Sequence, residues 1–175
     1  MLSLRPLVLS DIATYARWGQ DQRFCEHAGW TIGLPLPDYE AHWNRLITEP
    51  RPELIRFAAV LGDEIVGYVD LHGEDPQQRE LGYVVGPSTR WGQGIGTAIA
   101  RLGLDHGFGH LSLEAITADA LDANHASIRI LLSLGMTETG TGAEEPFLGA
   151  QSFYRQFSIT KAEWERGRPG AGSSG

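Results

Sequence analysis

Residues 91 to 98, Trp91-Gly92-Gln93-Gly94-Ile95-Gly96-Thr97-Ala98, set three alternating glycines between a strand-like run, Leu81 to Val85, and a helix-like run. The chemistry such a turn offers is anion binding. Glycine takes backbone angles that other side chains forbid, so successive N–H groups can converge on phosphate oxygens, and the helix that follows adds its positive N-terminal end. The spacing excludes two rivals. A Walker-type loop needs G-x-x-x-x-G-K-S/T, and the turn contains no Lys. The dinucleotide pattern G-x-G-x-x-G needs Gly at 97 or 99, where the chain has Thr97 and Ile99.

A second group follows downstream: Asn124, Ser127, Leu131, Gly135 and Met136, on and just after a helical stretch. Asn124 is a residue type that caps a helix. Together the two segments resemble the GNAT N-acetyltransferase superfamily. Its coenzyme A loop, Q/R-x-x-G-x-G/A, falls on residues 91 to 96 with Trp91 in first place, similar to the W-G-x-G variant of the RimJ/RimL-like branch that acetylates ribosomal-protein N-termini. Its second signature, N-x-x-A/S-x-x-x-Y-x-x-x-G-F, matches Asn124, Ser127 and Gly135 in register, with Leu131 in place of the Tyr and Met136 in place of the Phe. The 123 to 136 segment also resembles aminoglycoside acetyltransferases.

The resemblance implies acetyl-coenzyme A as co-substrate. Its pyrophosphate would lie on the amides from Gly92 through Gln93, Gly94, Ile95 and Gly96 to Thr97, with Trp91 beside them and Asn124 holding the pantetheine arm. Ser127 would reach the sulfur in place of the missing tyrosine, because Leu131 has no proton to donate. Backbone N–H groups around Val84 and Val85 would polarise the thioester oxygen. Glu80-Leu81-Gly82-Tyr83 resembles the E-I/L-G-Y of the RimJ/RimL-like branch, which makes Glu80 the expected general base, with Asp70 and Asp119 in reserve. Trp30, Asp70, Tyr83 and Asp119 are the expected acceptor contacts, and Trp43 a further wall.

Composition is compatible with this. The chain has 175 residues, 42% hydrophobic and 21% charged, which suits one domain over residues 1–166 and a flexible tail over 167–175. No apolar run approaches the roughly 20 residues of a membrane span, and the N-terminus lacks the layout of a secretory signal, so a cytoplasmic location without membrane contact is expected. The lone Cys25 cannot form an intrachain disulfide and has no activating neighbours in sequence. A net charge of −8 argues against nucleic acid as partner and suits a cationic substrate. A homodimer is left open. His106 and His110 have the spacing of a helical metal pair, but Gly107 and Gly109 argue against a helix there, and no metal is expected.

The elements that must position these residues follow from periodicity. Leu4 to Leu9 reads as an edge strand, followed by a helix through Trp18, an irregular stretch over 21 to 36, and a helix from Asp38. Phe57 to Leu61 and Ile65 to Leu71 form a hairpin, with Glu80 to Val85 as the next strand. A helix runs from the glycine turn to about His106, then a strand Leu111 to Ala118, a helix Ala123 to Leu134, and the strands Met136 to Thr141 and Phe153 to Ile159. The order is that of a mixed, mostly antiparallel α/β sheet flanked by helices, the GNAT arrangement. The expected activity is acetyl transfer to a primary amine, with a small amine or antibiotic aminosugar ahead of a ribosomal-protein N-terminus as acceptor. A non-catalytic acyl-coenzyme A sensor is the reading from another class.

Overall fold

The computed structural model describes residues 1–168; of the tail expected from Gly167, residues 169–175 lie outside the described residues. Seven strands, β1 (Leu2–Pro6), β2 (Leu54–Leu61), β3 (Glu64–His72), β4 (Gln78–Val85), β5 (Ala115–Leu121), β6 (Thr137–Glu144) and β7 (Phe153–Thr160), form one sheet in the order β1-β2-β3-β4-β5-β7-β6. Every neighbouring pair is antiparallel except β4 and β5, so the expected mixed, mostly antiparallel sheet is what forms.

Among the described residues six α-helices flank it: α1 (Ile12–Trp18), α2 (Gln22–Ala28), α3 (Leu36–Thr48), α4 (Ile95–Gly109), α5 (His125–Ser133) and α6 (Lys161–Arg166). The pleat divides the core in two. On one face α4 and α5 bury Ile99, Leu104, Ile128 and Leu131 against Val69, Leu71, Leu81, Ile116 and Phe157. Each such side chain contributes roughly 1.5–3 kcal/mol by leaving water. On the other face an aromatic cluster of Tyr15, Trp18, Phe24, Trp43 and Tyr68 seats α1, α2 and α3, with Tyr15 stacked on Trp43 at 4.2 Å.

The feature that matters for function is where the sheet opens. The β4–β5 ladder joins only Gln78, Arg79 and Glu80 to Ala115, Ile116 and Thr117. Beyond Glu80, β4 stays with β3 as far as Val85, while β5 stays with β7 as far as Leu121. Each half of the sheet follows its own partner, and the two strands diverge.

The structure departs from the sequence reading at several elements. Residues 21 to 36, expected to be irregular, contain α2. Asp21 caps it by accepting the Phe24 N–H at 3.1 Å, and Gly29 ends it at φ 69°. Helix α3 begins at Leu36 rather than Asp38, because Pro37 suits a first turn. Strand β5 starts at Ala115, since Leu111 to Glu114 are an irregular connection with Ser112 at φ 55° and Leu113 plugged into the core. Helix α4 runs through Gly107 to Gly109. A Cβ at Gly107 would meet Ile116 Cδ1 at 2.6 Å, so the glycine there serves close packing and does not break the helix.

Candidate active site

The divergence of β4 and β5 opens a cavity of about 770 Å³ that passes through the sheet. One end is walled by the glycine turn and the start of α5, the other by Phe24 and His27 of α2 and by Phe147 and Leu148 of the β6–β7 connection. Of the residues singled out from sequence, Val84, Val85, Trp91, Gly92, Gly94, Ile95, Gly96, Thr97, Asn124, Ser127 and Tyr83 all border it. Gln93 is exposed on the outer side of the turn and donates from its side-chain amide to the Thr89 carbonyl.

Local sequence explains the glycine-turn end. Gly92 and Gly94 both sit at φ 77°, a region costly for L side chains, and a Cβ at either would meet only open space. Gly94 is the N-cap of the 15-residue α4, and no side chain caps that helix. Its first-turn N–H groups, including those of Gly96 and Thr97, therefore face the cavity without an intrahelical acceptor. Gly96 serves packing, since its Cβ would touch Ile130 Cδ1 of α5 at 3.0 Å. Trp91 fixes the turn from behind. Its indole N–H donates to the Val85 carbonyl at 2.8 Å, His27 packs on its ring at 4.6 Å, and the Arg23 guanidinium lies 5.0 Å above it. Asp21 ties α2 to the same loop by accepting the Ser88 N–H at 2.9 Å.

The open edge of β4 follows from strand alternation. The Gly86 N–H donates to Val66 of β3 and the Val85 carbonyl faces Trp91, so the peptide groups of Val85 and Tyr83 point toward the gap and those of Val84 toward β3. Val85, rather than Val84, has the amide available there; Val84 contributes its side chain to the wall.

Opposite this edge, Asn124 caps α5, its Oδ1 accepting the Ser127 N–H at 3.3 Å, which leaves its side-chain NH₂ for the cavity. Ser127 Oγ lies 2.9 Å from Tyr83 Oη, a bridge from β4 to α5 across the gap. Burial pushes the Tyr83 phenol up to about 12, so it stays protonated at neutral pH. Leu131, which takes the place of a tyrosine in the family signature, is buried in the core.

The expected acceptor residues separate into two groups. Glu80 stands at the point where β4 and β5 part, on the face away from α4, and shares that face with Asp119 and Tyr154. Partial burial of the Glu80 carboxyl, then the nearby Asp119 charge, raises its pKa. Tyr154 donates to Glu145 at 2.7 Å, and that bond, burial, and the charges of Glu145, Asp119 and Glu80 push its phenol up to about 12. The four residues are thus one neighbourhood beside the Phe147 connection. Asp70 and Trp30 belong elsewhere. Asp70 is held by Arg56 in a two-pronged pair at 2.5 Å, and the same guanidinium lies 4.4 Å over the Tyr68 ring. Trp30 packs edge-on to Phe24 and donates to Tyr68 Oη at 3.2 Å. Trp43 is fully buried, because an aromatic at helical spacing fills the core before it forms a wall.

Sequence reading missed His27, Phe147 and the Tyr83–Ser127 bond. The capping pair Asp21 and Gly29 could have revealed α2 and hence His27; nothing local announces Phe147. Cys25 is buried, and burial pushes its thiol up, consistent with its having no nucleophilic role. His106 and His110 stack face to face at 4.7 Å.

The acetyltransferase (GNAT) domain profile matches residues 1–137. The chain belongs to the GNAT acetyltransferase family. It is therefore an acyltransferase enzyme, which removes the non-catalytic sensor reading. Solved structures share the fold. A spermidine N-acetyltransferase from Vibrio cholerae, in complex with CoA and spermine, superposes with a TM-score of 0.79 at 18% identity, over 93% of this chain and 97% of that one. An aminoglycoside acetyltransferase in complex with coenzyme A gives 0.77 at 20%, over 97% and 100%. A GNAT-family acetyltransferase from Bacillus anthracis gives 0.77 at 19%, over 93% and 96%. Among the described residues of this acetyltransferase no helix is long and apolar enough to cross a membrane, and no group of three or more His, Cys, Asp or Glu could hold a metal ion.

Proposed function

We propose that this acetyltransferase uses acetyl-coenzyme A to acetylate a primary amine of a small cationic molecule, a polyamine or an aminosugar. The observation that carries the reading is the cavity through the β4–β5 gap, with uncapped helix amides at one end and, at the other, the Phe147 connection beside which Glu80, Asp119 and Glu145 gather. The donor set fits the coenzyme. Free N–H groups at the start of α4 suit a diphosphate, and the Asn124 amide and Ser127 hydroxyl suit an amide-bearing arm that ends in sulfur.

When bound, the coenzyme supplies an acetyl thioester whose carbonyl carbon is open to an amine. The protein's part is to orient, polarise and move a proton. The Val85 N–H, on the open edge, donates to the thioester oxygen as negative charge develops there. Glu80 takes the ammonium proton, directly or through one water, and its raised pKa brings it nearer the working pH of a general base. Asp119 and Glu145 contribute negative field at the acceptor end, where Phe147 and Leu148 exclude water. Two structural neighbours named for polyamine and aminoglycoside acetylation support small polycations over a protein N-terminus.

The test is release of free thiol from acetyl-coenzyme A with spermidine, an aminoglycoside, and an Ala- or Ser-initiated peptide as acceptors. We expect saturable turnover of at least one polycation, with KM rising as ionic strength goes from about 0.01 to 0.15 M and the Debye length falls from about 30 to 8 Å. Turnover of the peptide alone would contradict the acceptor class and favour the RimJ/RimL-like reading.

A further inference from the structure

A hydroxyl that assists a departing thiolate must have its proton aimed at the sulfur, and a serine hydroxyl rotates freely unless something holds it. Serines within helices commonly donate back to a carbonyl one turn earlier. Ser127 has instead, as its side-chain partner, the phenol of Tyr83 on another strand, at 2.9 Å. A phenol is the stronger acid of the two, so it is the better donor. The 3.4 Å contact from Tyr83 Oη to the Ser127 carbonyl is the weaker alternative for the same proton. With Tyr83 donating to Oγ, the serine proton is free, and Ser127 borders the cavity.

We infer that Tyr83 is a positioning residue: its phenol donates to Ser127 Oγ and turns the serine hydroxyl into the cavity, to donate to coenzyme sulfur. The inference rests on the coenzyme reading above. As the carbon–sulfur bond breaks, its electron pair goes to sulfur and is stabilised by the Ser127 hydroxyl. The amine nitrogen bonds to the acetyl carbon and sheds two protons through Glu80 to solvent, one before attack and one after it; the Tyr83 and Ser127 protons keep their owners, and the thiolate takes its proton from solvent on release. The Ser127 hydroxyl thus takes the role that a tyrosine at Leu131 would fill, one turn earlier on α5, with Tyr83 holding it from β4 across the gap.

The same donor pair should lower the pKa of the thiol of bound coenzyme A, which gives a readout independent of turnover. Binary complexes with coenzyme A would be titrated by ultraviolet thiolate absorbance for the wild type, Tyr83→Phe, Ser127→Ala and the double variant. Tyr83→Phe keeps the ring and is expected to move the thiol titration upward by about 0.5 to 1 pH unit, the size of one hydrogen bond. Its kcat should fall about 3- to 10-fold with KM for acetyl-coenzyme A unchanged. Because Tyr83 acts through Ser127, the double variant should titrate and turn over like Ser127→Ala alone. Thermal melting of Tyr83→Phe and its calorimetric affinity for coenzyme A, both expected near wild type, separate a lost donor from a folding defect in that variant. A thiol titration unchanged in Tyr83→Phe, or additive effects in the double variant, would overturn the inference while leaving the coenzyme reading intact. Absence of coenzyme A binding to the wild type by calorimetry would overturn the coenzyme reading itself.

Discussion

Replacing Gly94 by Asp and, separately, by Asn isolates the electrostatics of the glycine turn. Both side chains are similar in size, both tolerate positive φ better than most, and a Cβ at this position meets nothing within 4 Å. The conformational cost at φ 77° is therefore common to the two, about 1–2 kcal/mol, which lowers Tm by roughly 2–8 °C in a protein of this size. The charge is what differs. A carboxylate about 5 Å from a phosphate charge is repelled by about 0.8 kcal/mol at a dielectric of 80 and about 3.3 kcal/mol at 20. Those values correspond to about a 4- to 250-fold weaker affinity for Gly94→Asp than for Gly94→Asn. Calorimetric titration of both folded variants with coenzyme A measures the ratio directly, and added salt should shrink it. Equal affinities would refute the placement of phosphate on the amides that follow Gly94.

Ser127→Ala should lower kcat by about 10- to 100-fold where chemistry limits the rate, the low end for acid–base effects, because a thiolate leaves readily; wild-type turnover would make Ser127 structural. The pH–rate profile should fall on the acidic side through the raised pKa of Glu80, which must be ionised to take a proton. Asp119→Asn removes one of the causes of that rise, so the limb should move to lower pH by part of the shift, burial of the carboxyl accounting for the rest. Burial opposes ionisation of Asp11, but the Arg5 guanidinium at 2.8 Å and the Val8 N–H together hold its pKa below the ordinary carboxylate value. Its contribution to stability is thus complete above the unfolded pKa and disappears as pH falls through the lower folded one. Asp11→Asn should destabilise by about 1–3 kcal/mol at pH 7 in urea unfolding, and the difference should vanish in strong acid.

What could be read from the chain were features encoded within a few residues. The glycine turn is local, since positive φ and an uncapped helix start leave their mark in residue type. The Asn124–Ser127 cap is local too. The hairpin and the amphipathic stripe of α4 followed from periodicity, although Gly107 and Gly109 hid the last turn of the helix: the cost of Gly107 in propensity is outweighed by close packing against Ile116 of β5. The residues expected to contact an acceptor were less legible. Asp70 is a carboxylate near a strand end in sequence terms, and only the β2–β3 register reveals that Arg56 stands opposite and claims it. Trp30 and Trp43 have the composition of a ligand wall, yet three helices converge on them. The Tyr83–Ser127 bond joins residues 44 apart, so no local pattern contains it.

The most direct test is a structure of the protein with coenzyme A. The diphosphate is expected on the amides of residues 92–97, the pantetheine arm along the open edge of β4 past Asn124, and the sulfur within hydrogen-bonding distance of Ser127 Oγ. A coenzyme seated outside the β4–β5 gap, or one whose sulfur lies away from Ser127 and Glu80, would contradict that placement.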